Sequence, residues 1–135
     1  MTTPITQGVH HVGLTVPDLS AAEMFFINTL SFEKVAEKPD YPAVFVSDGN
    51  ILLTLWQAYD PHTATPFDRK NVIGLHHLAL KVENHESLDA LHRHLTQDGA
   101  ASIEFAPEPL GQGTVRHMMT VIPGGIRIEF LSISA

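Results

Sequence analysis

From Val9 to Val16 apolar residues alternate with small or polar ones, Val12, Leu14 and Val16 on one face and His11, Gly13 and Thr15 on the other. That period predicts a strand with one buried face, ended by Pro17. Ser20 and Glu23 have the spacing of a capping box, so a helix is expected to begin at Ser20, with Met24, Phe25, Phe26 and Leu30 supplying its apolar side. Strands are expected next over 43–47 and 51–57, joined by Asp48-Gly49-Asn50, with a further short strand near Phe32. The second half repeats the plan. A strand over 75–82 precedes a helix over 86–97, where Leu88, Leu91 and Leu95 recur at spacings of three and four and Gly99 supplies the stop. Strands over 114–122 and 126–132 then flank Pro123-Gly124-Gly125. The stretch 106–113, with two Pro and two Gly, reads as a loop, and 58–71, rich in Pro, Thr and Asp, reads as a surface linker able to overhang a site.

The likeness of the halves extends to the residues themselves. GVHHVGLTVPD from Gly8 returns as GLHHLALKVEN from Gly74, an offset of 66 (77−11 for the second His of each pair). GNILLTL from Gly49 returns as GGIRIEF from Gly124, an offset of 75 (129−54). The second copy is nine residues longer (75−66), a difference that the 106–113 loop is expected to absorb. A module has been duplicated, and the duplication overlays His11 on His77 and Thr54 on Glu129. The expectation is a single domain over 1–135, with module 1 at about 7–57, the linker at 58–71 and module 2 at about 72–134.

Composition narrows the chemistry. The formal charge is −7 and Lys and Arg form no block, which argues against nucleic acid and anionic membrane as partners. There is no Cys, so a metal would be held by His and carboxylate. No positively charged segment followed by an apolar run opens the sequence, and no stretch approaches the ~20 apolar residues of a membrane span, so the expected location is cytoplasmic.

On the last predicted strand Ile126, Ile128 and Phe130 share one face, and Arg127, Glu129 and Leu131 the other. His11, His77 and Glu129 then face a common surface from different strands. Two imidazoles and a carboxylate make up an open-sided divalent metal site, with room for water and substrate. Thr54 holds the position equivalent to Glu129, and a hydroxyl is a poor ligand, so it is not counted as one. Alternation turns His10 and His76 to the opposite face, as structural or edge residues. His117, on a predicted strand, is a candidate proton-transfer group beside the metal, and His62 ranks with it; His85, His92 and His94 read as a solvated helix surface. Trp56 either lines the pocket or packs with its N–H on a nearby acceptor. Lys81 and Arg127 point to the same side, where they would bind a substrate carboxylate or face solvent.

With HVGLTVPDL opening the first module, HLALKV the second, and PGGIRIEF near the end, the chain resembles the vicinal oxygen chelate superfamily over nearly its whole length. This superfamily includes glyoxalase I, extradiol dioxygenases, methylmalonyl-CoA epimerase, and the fosfomycin and bleomycin resistance proteins. The resemblance implies an α+β fold of two tandem βαβββ modules, whose curved mixed sheets surround a metal cleft. It further implies one divalent ion (Fe(II), Mn, Ni, Zn or Co) on His11, His77 and Glu129, with Glu129 doubling as a catalytic base. The implied partners are a small molecule with adjacent oxygens and a second copy of the chain in a homodimer. The expected activity is that of a glyoxalase-like lyase or isomerase. An extradiol-type Fe(II) dioxygenase and a non-catalytic, ligand-sequestering protein of the resistance type are the alternatives.

Overall fold

The computed structural model describes residues 2–135. They divide into two compact units, one through His62 and the other Thr63–Ala135. The segment expected as a linker over 58–71 therefore splits, and its residues from Thr63 onward belong to the second unit.

In the first unit the elements are β1 (His11–Val16), α1 (Leu19–Met24), β2 (Glu33–Lys38), β3 (Ala43–Ser47) and β4 (Leu52–Gln57). They form a four-stranded sheet in the order β1-β4-β3-β2, with β1 and β4 parallel and the other pairs antiparallel. Helix α1 starts earlier than the capping box suggested. Asp18, extended at φ −139°, accepts a hydrogen bond from the Ala21 N–H at 3.1 Å, and Ser20 lies inside the helix. Asp caps at least as well as Ser, and Asp18 has the extended backbone a cap needs. Past Met24 the helix widens into a π-helical turn, Phe25–Thr29, closed by the Leu30 N–H on the Phe25 carbonyl at 3.1 Å. Phe25 and Phe26 are buried there, and Phe26 meets Phe32 edge-on with centroids 5.3 Å apart.

The second unit has the same order: β5 (Leu78–Lys81), α2 (His85–Asp98), β6 (Ser102–Pro109), β7 (Arg116–Val121) and β8 (Arg127–Ser132), in a sheet β5-β8-β7-β6. Asn84 caps α2 by accepting from the Ser87 N–H at 2.8 Å. Gly99 ends it as expected, at φ +72°, in the left-handed region where glycine carries no Cβ penalty. Leu88 and Leu95 are fully buried, each contributing about 2 kcal/mol by burial. Two expectations change. The strand expected over 75–82 is regular only over Leu78–Lys81, so His76 and His77 precede it and escape strict alternation. The loop expected over 106–113 is strand as far as Pro109.

The duplication holds to the residue. Gly13 pairs with Thr54 between β1 and β4, and Ala79 pairs with Glu129 between β5 and β8. Those two pairs are related by the same offsets, 66 and 75, that relate the sequence motifs.

Candidate functional site

In the second unit the central strand β8 carries Glu129, flanked by β5 on one side and β7 on the other. Each neighbour delivers an imidazole. His77, just ahead of β5, places Nε2 3.2 Å from Glu129 Oε1; His117, on β7, places Nδ1 2.5 Å from Glu129 Oε2. Glu129 is 8% exposed, so a carboxylate nearly shielded from water has both oxygens covered by ring nitrogens. Phe105 packs on His117 with centroids 4.8 Å apart, and Glu108 Oε1 lies 4.0 Å from His117 Nε2.

Behind His77 stands His76, whose Nδ1 is 2.7 Å from His77 Nδ1. Two positions from Glu129 on β8, Arg127 is buried at 7% exposure. Its Nη2 and Nε donate to the two oxygens of Glu104 at 2.7 and 3.1 Å, and its Nη1 lies 3.4 Å from His76 Nδ1 and 3.5 Å from the His76 carbonyl. Arg69 Nη1 adds a second donor to Glu104 at 2.8 Å. The hydrogen bond from Arg127 chiefly holds the Glu104 carboxyl below its ordinary range, with help from Arg69 and against the cost of desolvation. An open cleft of about 740 Å³ adjoins this cluster, lined among others by Phe67, Arg69, Val121, Gly125 and Arg127. Phe67 and Arg69, from the stretch expected as a linker, line this cleft within the second unit.

In the first unit His10 and His11 form the matching pair, Nδ1 to Nδ1 at 2.9 Å. Thr54, 4% exposed, accepts the Trp56 indole N–H at 2.9 Å, so its hydroxyl is engaged with a neighbour. Trp56 also packs against Tyr41 and Phe45, which agrees with the packed alternative for its side chain. Gly13 sits close against Thr54: a Cβ there would stand 3.0 Å from the Thr54 hydroxyl oxygen.

Of the residues singled out from sequence, His77, His117 and Glu129 meet, and His11, which the offset of 66 relates to His77, opens β1 in the first unit. Lys81 is exposed beside Leu131 at the end of β5. Arg127 is neither solvent-facing nor free for a substrate carboxylate, because Glu104 already occupies its fork. His76 is no mere edge residue, since it touches both His77 and Arg127. His85 is not simply part of a solvated surface: its Nδ1 lies 2.5 Å from Ser132 Oγ. Glu104 was missed. Ile103 and Phe105 alternate with it in burial, a period-two signal that Pro107 and Pro109 obscured.

Among the described residues no group of three or more His, Cys, Asp or Glu side chains is arranged as a ready metal cage. The donor types nevertheless suit a divalent ion: imidazole nitrogens and a carboxylate, one ring nitrogen of His77 held by His76 and the other turned to Glu129.

A family model described as the Glyoxalase/Bleomycin resistance protein/Dioxygenase superfamily matches residues 8–130. Among solved structures the chain is similar to a glyoxylase/bleomycin resistance protein/dioxygenase domain from Frankia sp. EAN1pec, with 25% identity over 94% of this chain and 98% of that one and a TM-score of 0.80. It is also similar in fold to lactoylglutathione lyase from Agrobacterium tumefaciens (20% identity, 96% of each chain, TM-score 0.71). A third likeness is to a genomically encoded fosfomycin resistance protein from Listeria monocytogenes (16% identity, 95% of this chain and 94% of that one, TM-score 0.73). No curated protein matches the sequence.

Proposed function

We propose that this chain, which belongs to the Glyoxalase/Bleomycin resistance protein/Dioxygenase superfamily, is a divalent-metal-dependent lyase or isomerase acting on a small molecule with two adjacent oxygens. The observation that supports it most is the shielded Glu129 carboxylate with an imidazole nitrogen at each oxygen. His77 and Glu129 would hold the ion, and His11 is the further ligand that the family resemblance implies. A bound divalent ion supplies Lewis acidity to the substrate oxygens. The chain's own residues do the rest. Glu129 Oε2 would take a proton from substrate, and His117 Nδ1, 2.5 Å away, would share it. Phe105, tilted against His117 with centroids 4.8 Å apart, packs on one side of that ring.

The reading also includes a homodimer. β2 is exposed along its whole length, and an uncovered edge strand favours a partner. Sedimentation of the purified protein decides this point.

The test of the main reading is metal content after reconstitution with Fe(II), Mn(II), Ni(II), Zn(II) and Co(II), beside His11→Ala, His77→Ala and Glu129→Ala. About one ion per chain in the unmodified protein, lost in the variants, is the expected result. Preference for Fe(II) would move the assignment to the dioxygenase branch. If the unmodified chain holds no ion, the reading fails and a ligand-sequestering protein takes its place.

A further inference from the structure

We infer that the cleft beside Arg69 is a binding site for a small carboxylate with an apolar body, and that Arg69 supplies its specificity. The cleft holds about 740 Å³, within the size range of small-molecule sites, and its walls set Phe67, Val72 and Val121 beside the guanidiniums of Arg69 and Arg127. Binding there needs no metal, so the inference stands apart from the reading of His77 and Glu129.

Two guanidiniums share one carboxylate here. Arg127, 7% exposed, gives its Nε and Nη2 hydrogens to Glu104 at 3.1 and 2.7 Å, so that edge of its fork is filled. Arg69 reaches the same carboxylate with Nη1 alone, at 2.8 Å. Among the described residues nothing accepts from Arg69 Nε or Nη2, the edge that on Arg127 holds a carboxylate by two hydrogen bonds. The Arg69 side chain is 34% exposed and lines the cleft, so a ligand can reach it. A carboxylate from outside would complete on Arg69 the pairing that Glu104 completes on Arg127.

Arg69 is also held in place. Asp68 Oδ1 accepts the Lys70 N–H at 2.9 Å, and the Asp68 carbonyl accepts those of Asn71 and Val72 at 3.3 and 3.0 Å, so turns fix the backbone around it. Glu104 fixes the far end, and Glu104 is itself clamped by buried Arg127. The guanidinium is therefore oriented before a ligand arrives, and less side-chain entropy is lost on binding. Asp68 is the one acid on the cleft wall; it is exposed, with an oxygen engaged on the backbone, where water and salt screen its charge. Phe67 packs close to the turn between β7 and β8, its Cβ 3.8 Å from where a Cβ on Gly125 would stand, and offers its ring to the apolar body.

The duplication shows that the module does not need this cluster to fold. Leu52 stands where Arg127 does (127−75), and the first sheet keeps the same register without a guanidinium there. The charged set in the second copy answers to something other than the sheet.

The experiment uses the full-length protein, labelled with 15N and freed of metal on a chelating resin, and titrates it with benzoate and with hexanoate. Nitrogen–proton spectra follow the Arg69 Nε–H signal and the backbone signals of Phe67 and Gly125. The expected result is saturable shifts at these positions with a dissociation constant of about a millimolar, and binding of neutral benzamide at least tenfold weaker. Arg69→Gln is expected to weaken benzoate at least tenfold, and Arg69→Lys as well, since an ammonium keeps the charge but not the fork. The comparison of benzoate with benzamide uses unmodified protein, so it decides the point even if a variant fails to fold. No saturable shift at Arg69 with either carboxylate up to about 20 mM, equal binding of benzamide, or full affinity in Arg69→Lys would overturn the inference. Inorganic phosphate bound at Arg69 at least as tightly as benzoate would overturn the carboxylate class. Metal content enters none of these readouts, so this inference and the proposed function fail separately.

Discussion

His117 reaches Glu129 diagonally across two strands: the register of β7 and β8 pairs Glu129 with Met119 and His117 with Leu131, yet His117 Nδ1 lies 2.5 Å from Glu129 Oε2. The diagonal reach is within the span of a ring side chain and a glutamate. It leaves the other carboxylate oxygen to His77, so one side chain on β8 connects β7 with the residue just ahead of β5.

Replacing His117 by Ala should leave one oxygen of a shielded carboxylate without its partner. The expected cost is about 2 kcal/mol in chemical denaturation, the magnitude of a hydrogen bond to a charged group. Metal stoichiometry should survive, because His117 is not among the proposed ligands. A variant that keeps its full stability would show that the contact with Glu129 contributes nothing to the folded state.

Metal binding should appear in stability as well as in stoichiometry. With free ion at 100 times its dissociation constant, the unfolding free energy is expected to rise by about 2.7 kcal/mol. Glu129→Gln should abolish that rise while retaining the shape of the side chain. Thermal unfolding with and without added Zn(II) measures both.

The bidentate pair of Arg127 and Glu104 predicts a pH dependence. Because the folded-state pKa of Glu104 is depressed, the pair's stabilisation is fully present above the ordinary value of 4.5 and is lost as pH falls through the lower folded value. Glu104 is exposed to solvent, and screening limits the expected contribution to about 1 kcal/mol. Urea denaturation of unmodified protein and Glu104→Gln should differ by that amount near neutral pH and converge below pH 4.5. A gap that widened on acidification would contradict the sign.

Gly13→Ala should be destabilising because its Cβ would come within 3.0 Å of the Thr54 hydroxyl oxygen and 3.5 Å of Trp56 Nε1. Overpacking of this kind costs about 1–3 kcal/mol. Thr54→Ala removes the atom in the way but leaves the Trp56 N–H unpartnered, at about 1 kcal/mol. The double variant should therefore be more stable than the sum of the two losses, and denaturation of all four proteins measures the coupling.

The features legible in the chain are those carried by neighbouring residues or by repetition. Alternation from His11 to Val16 showed a strand, Gly99 an end to a helix, and the offsets of 66 and 75 a duplicated sheet whose register the structure repeats. The overlay of Thr54 on Glu129 was visible for the same reason. What alternation could not supply was the environment of His76, because regular strand begins only at Leu78 and the period-two rule does not reach back to it. Nor could it supply the partner of Arg127. That depends on a register shift in β6 which places Glu104 within reach of a residue on β8, and hydrogen-bond registers between distant segments are settled by the whole sheet together. Local pattern thus determined the strands, the helix stop and the repeated imidazole and carboxylate positions. Tertiary pairing alone decided which charges are already neutralised, which rings touch, and which nitrogen of His77 faces Glu129, since each of these turns on contacts between residues far apart in the chain.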